Sequence, residues 1–210
     1  DPWHHFGALG AWNTFPYPPA MLAALALPRA LLGGWDGAAG LLIARLPLLA
    51  ADLAILALLV RWFPDAVRHV VTYYWCSPIL IYACYWHGQL DVLPTAWFVG
   101  ALALLRAGSP HYAAAVLGVA LASKSHLFAA LPFLAAYLHQ ERGALGTARF
   151  FAIALGAYGA LLLPFASDPA FQRMVFGTEE QARLFATRLE IGNGMNLLLA
   201  PGAIALLWFV

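Results

Sequence analysis

A chain of 210 residues with 63% hydrophobic and only 10% charged side chains cannot clothe itself in a water-facing surface, because soluble domains carry about 25% charge. With a mean hydropathy of +0.75, lipid must cover much of it, which excludes an ordinary soluble domain. The formal net charge of +1 favours no acidic partner, and nucleic acid is excluded: Lys124 is the only lysine and the arginines are scattered.

Apolar runs predict helices at about 19–33, 39–60, 70–86, 92–106, 112–123, 126–139, 148–166 and 195–210. Run length and abundant Ala and Leu predict an all-α, polytopic transmembrane bundle, since barrel strands would alternate in polarity. The 19–33 and 112–123 runs are too short to cross alone, so 19–33 is a candidate re-entrant helix. Pro132 and Pro164 predict kinks or ends. No linker divides the chain, so 1–210 reads as one domain. It begins at Asp1 without an initiator Met and stops inside the apolar LLWFV, which reads as an internal piece of a longer protein. Cys76 and Cys84 lie too far apart on one helix for a bridge, about 12 Å of rise.

Arginine placement gives an orientation. Arg61, Arg68, Arg106, Arg142 and Arg149 fall in three short loops, at 61–69, 106–111 and 139–149. If these face the cytoplasm, the opposite face gathers four polar clusters and holds 1–18 and 167–194 as extracytoplasmic loops.

The first cluster is TFPYPPAM (14–21), whose prolines suit an extended entry into a helix. The second is His87-Gly88-Gln89-Leu90-Asp91, ringed by Tyr82, Tyr85 and Trp86. It reads either as a wet turn with Asp91 at a helix start or as a sugar-lined wall. The third is ASKSHLF (122–128), where Lys124 and His126 form either a phosphate grip or a snorkelling surface. The fourth is the 167–194 segment, with Arg183 and Arg188 for phosphate and Glu179, Glu180 and Glu190 for sugar hydroxyls, or simply a solvated loop. Within the apolar runs, Arg45 and Asp52 share one helical face two turns apart, and pairing inside the bundle is expected for both. No phosphate-binding glycine loop, nucleophile elbow or zinc spacing occurs, so neither a nucleotide donor, a cofactor nor a metal is expected.

In order and spacing, Tyr17-Pro18-Pro19, the AADLAILALLVRW run with Asp52, CSPILIYACYWHGQLD with His87, Gln89 and Asp91, and GVALASKSHLFAALPFL with Lys124 and Leu131-Pro132-Phe133 resemble the membrane-embedded GT-C superfamily of glycosyltransferases. The nearest likeness is to ER glucosyltransferases that use dolichyl-phosphate-glucose, and to their bacterial relatives. RLEIGNGMNLLL, holding Arg188 and Glu190, is similar in placement to a late lumenal segment of those enzymes.

The resemblance implies a hexosyltransferase acting on the extracytoplasmic face, with a polyprenyl-phosphate sugar as donor and inversion at the anomeric carbon. Lys124 and Arg188 would hold the donor phosphate, while His87, Gln89 and Asp91 line the sugar site; Tyr17, His126 and Glu190 complete the substrate contacts. The general base would be a carboxylate upstream of Tyr-Pro-Pro. Only Asp1 stands there, so the base is expected before residue 1, with Asp91 the next acid to test. Few lysines beside many Ala, Gly and Arg suggest a bacterial inner membrane, with the ER membrane as the alternative. The main rival is a transporter or flippase for lipid-linked sugars, which predicts an inverted repeat; a non-catalytic membrane subunit is the third reading. The sequence displays no such repeat.

Overall fold

The computed structural model describes residues 2–12, 14–33, 37–177, 188–190 and 196–198. Among these the regular structure is helical apart from two short paired strands: α1 Pro2–Ala8, α2 Pro19–Leu32, α3 Gly37–Trp62, α4 Val67–Val70, α5 Pro78–Leu80, α6 Val92–Arg106, α7 Pro110–Leu121, α8 Leu131–Leu162 and α9 Pro169–Phe176. Two runs are long and apolar enough to cross a bilayer, Leu42–Trp62 and Ser125–Phe165, and only 22% and 17% of their apolar windows are buried. A core helix of a soluble protein would be mostly buried. Large apolar side chains such as Ile79, 81% exposed, point outward without a protein partner to cover them, as expected where lipid is the solvent.

The predicted 70–86 helix forms, but it is not regular. A π-helical turn at Val71–Trp75 precedes α5, and a second at Ile81–Trp86 follows it. Pro78 opens α5 and holds Ser77 extended, breaking the run between them. The predicted 126–139 and 148–166 helices become a 3₁₀ turn, Ser125–Ala130, and two legs of α8. Gly143 alone, at φ 67°, makes the fold between those legs where a loop over 139–149 was expected. The legs double back, for the rings of Phe128 and Tyr158 meet edge-on at 5.3 Å.

Within 1–18 a short helix, α1, forms around Trp3, which buries its ring against Phe15, Phe165 and Phe171. The helix expected over 195–210 does not hold at 196–198, where Asn196–Leu198 pairs antiparallel with Arg188–Glu190. Between these strands the sequence reads Gly192-Asn193-Gly194, a hairpin signal that a reading based on apolar run length passes over.

Three apolar clusters hold the bundle. Leu105, Leu117, Leu121, Leu138 and Phe150 join α6, α7 and both legs of α8. Trp3, Phe171 and Met174 fasten α1 and α9 beside Ala20 and Ala122. Met21, Leu48, Ile55, Cys84 and Leu93 lock α2, α3, the second π turn and α6 together. Arg45 of α3 donates to the Tyr85 carbonyl at 2.9 Å, and Arg106 at the end of α6 lies 6.0 Å over the Trp62 ring at the end of α3. Helices α3 and α6 therefore run parallel, and the starts of α2 and α6 share one face with the end of α7.

Candidate functional site

The convergence begins with backbone. Pro18 is extended at φ −65°, ψ 168°, and Pro19 takes the first helical position of α2, where a missing N–H costs nothing. This frees the Ala20 N–H to donate to the Ala122 carbonyl at 3.0 Å. The Tyr-Pro-Pro entry is thereby tied to the end of α7, two residues before Lys124.

Lys124 is the hub. Its ammonium forms an ion pair with the Asp91 carboxylate, 33 residues away in sequence, and sits 5.8 Å over the Tyr17 ring. The side chains remain 29% and 43% exposed, so a ligand can reach both partners. Asp91 stands at the cap position of α6, yet its carboxylate makes no cap hydrogen bond. Its backbone carbonyl accepts from the Thr95 N–H and hydroxyl instead. The carboxylate is thus left to Lys124, and helix capping is not its task. Burial first, then the Asp91 charge, push the Tyr17 phenol above its ordinary range and keep it a donor.

The other expected residues lie in or beside this cluster to different degrees. His126 is exposed in the 3₁₀ turn and within electrostatic reach of Lys124 and Asp91. His87 and Gln89 share the turn with Asp91, and both are exposed. The His87 ring stacks on Tyr82 at 6.2 Å, and the Gln89 N–H donates to the Ala83 carbonyl. No contact among the described residues joins either side chain to Lys124. Ser123, next to Lys124, is buried and donates to the Val119 carbonyl at 2.9 Å. Asp1 lies outside the described residues, as do the side chains of Arg188 and Glu190.

Two features escaped sequence reasoning. His4 approaches Asp168 at 3.4 Å, while Asp168 also accepts from the Ala170 N–H to cap α9; the Asp-Pro pair was the signal for that cap. An apolar groove of about 870 Å³ opens between α2, α3 and α6, lined among others by Ala24, Leu27, Ala51, Leu93 and Trp97. Its lining includes Leu93, two residues after Asp91 in the chain.

Comparison with known families places the chain. The model of glycosyltransferase family 87 matches residues 15–210. The chain belongs to glycosyltransferase family 87. That membership makes it a membrane glycosyltransferase, and it carries the class rather than the nearer likeness to the dolichol-dependent ER enzymes. No curated protein and no solved structure matches it. The family 87 match includes Tyr17, Asp91 and Lys124.

Proposed function

We propose that this protein transfers a hexose from a polyprenyl-phosphate donor to an acceptor on the extracytoplasmic face of a bacterial plasma membrane. One observation supports this reading most: Lys124, the only lysine, meets Asp91 and Tyr17, and α6, which starts beside Asp91, also lines an apolar groove. Such an arrangement fits a ligand with a charged head and a hydrocarbon tail. The acceptor hydroxyl oxygen attacks the anomeric carbon, and the bond to the phosphate oxygen breaks. The leaving phosphate keeps the electron pair and is stabilised by the Lys124 ammonium and the Tyr17 hydroxyl. Asp91, already engaged by Lys124, suits orientation of a sugar hydroxyl. The acceptor proton passes to a carboxylate of the first extracytoplasmic loop, by resemblance to GT-C enzymes. His87, Gln89, His126, Arg188 and Glu190 are assigned to the sugar and phosphate contacts.

The test is transfer from a polyprenyl-phosphate hexose by the full-length protein. Lys124→Ala is expected to lower kcat about a hundredfold, the scale of one lost oxyanion donor. Asp91→Asn is expected to raise KM as well. Because the ion pair is partly exposed, both variants should unfold within about 1 kcal/mol of wild type. Unchanged transfer in both variants would sink the assignment. Lipid translocation without transfer would favour the flippase.

A further inference from the structure

The face opposite the site carries a second built cavity. It has a volume of about 290 Å³ and lies between the start of α7 and both legs of α8 at the Gly143 fold. Arg142, Arg149 and His111 line it, together with Phe150 and Ile153. No acidic side chain lines it, and neither arginine has a hydrogen-bond or ion-pair partner among the described residues. Gly146 lets Arg142 fold close against α8: a Cβ there would stand 2.8 Å from the Arg142 Cβ. Pro110 and His111 bring the α7 start to the cavity, where the Ser109 side chain makes no cap hydrogen bond and the helix dipole adds positive potential.

Two of the three arginine-bearing loops, 106–111 and 139–149, therefore come together in one concavity. Its chemistry is split, with a cationic rim above a floor of Phe150, which is buried, and Ile153. A free phosphate needs only the rim. A phospholipid needs both parts, the rim for its phosphate and the floor for its glycerol and first acyl carbons. From this combination we infer that the cavity is a binding site for the headgroup of an anionic phospholipid in the leaflet opposite the candidate active site. Basic pockets between helices at a membrane face serve such headgroups. The site is separate from the transfer chemistry, so it stands or falls independently of the donor assignment.

The experiment uses the full chain purified in mild detergent. Phosphatidylglycerol, phosphatidylcholine or inorganic phosphate is titrated and bound species are counted by native mass spectrometry. Wild type is expected to retain phosphatidylglycerol over phosphatidylcholine. Arg142→Gln with Arg149→Gln should weaken that binding about thirtyfold, two arginine contacts' worth. Arg61→Gln with Arg68→Gln removes the same charge from a loop outside the cavity and should leave it unchanged. His111→Gln, a milder change, should weaken it by a smaller factor. Equal retention in wild type and the Arg142/Arg149 variant overturns the site, as does an equal loss in the Arg61/Arg68 variant. Inorganic phosphate displacing the lipid, with no preference between the two lipids, overturns the lipid assignment.

Discussion

Asp52 is 1% exposed in the middle of an apolar helix, and its two carboxylate oxygens each accept a tyrosine hydroxyl at 2.6 Å, from Tyr74 and Tyr85. Each tyrosine sits in a different π turn, one on either side of the Ser77–Pro78 break. A single carboxylate thus fastens a loosely wound segment to α3, six residues before Asp91. Burying that charge is tolerable only because both oxygens are paired. Tyr74→Phe or Tyr85→Phe should each destabilise the protein by about 1.5–3 kcal/mol, and the double variant should cost more than either. Adding Asp52→Leu to the double variant should recover stability, because the unpaired buried charge disappears with it. Thermal unfolding in detergent reads the series; a double variant as stable as wild type would contradict the clamp. Asp52 and Arg45 were legible in sequence as costly residues that must pair within the bundle. Their shared partner, Tyr85, was not legible, because each π turn shifts the helical phase and an i+4 count no longer tells which side chains share a face.

Among elements, α7 and the second leg of α8 approach closely at Gly118. A Cβ on Gly118 would lie 2.5 Å from the Ala154 carbonyl oxygen and 2.6 Å from the Ala157 Cβ. Small residues permit such close approach of helices in lipid. Gly118→Ala should therefore cost about 1–3 kcal/mol. Gly156→Ala, where nothing lies within 4 Å, should be neutral or stabilising by up to about 1 kcal/mol through helix propensity. The reverse order of the two midpoints would refute the packing argument. Most helices were readable from apolar run length, since α2, α3 and α6 start and stop within a few residues of the predicted bounds. The reading failed where length is uninformative. The α1 helix hides among aromatics that only tertiary packing explains, and hydropathy does not announce the pairing of Arg188–Glu190 with Asn196–Leu198.

For the whole molecule, the sequence showed which polar groups could gather on one face, but not which of them touch. Tyr17, Asp91 and Lys124 meet because α2, α6 and α7 place their ends side by side; the Ala20–Ala122 hydrogen bond and the Lys124 reach are facts of assembly. The same assembly sets the two faces apart. The first passage from the site, Ser125 to Arg142, covers 18 residues before the Gly143 fold, at most about 30 Å with a rise of about 2.0 Å per residue in the 3₁₀ turn and 1.5 Å in the α-helical leg. That nearly matches the hydrocarbon core, about 30 Å thick, so His126 and Arg142 should lie on opposite sides of the membrane. Both are exposed. In a Cys76→Ser background, since Cys84 is buried and Cys76 is not, His126→Cys and Arg142→Cys should differ in access to a membrane-impermeant maleimide. Intact cells should label His126→Cys alone, and Arg142→Cys should react only after permeabilisation. Labelling of both from one side would deny that this leg crosses, and labelling of Arg142→Cys alone would place the site in the cytoplasm, where the proposed polyprenyl-phosphate chemistry would have to be abandoned.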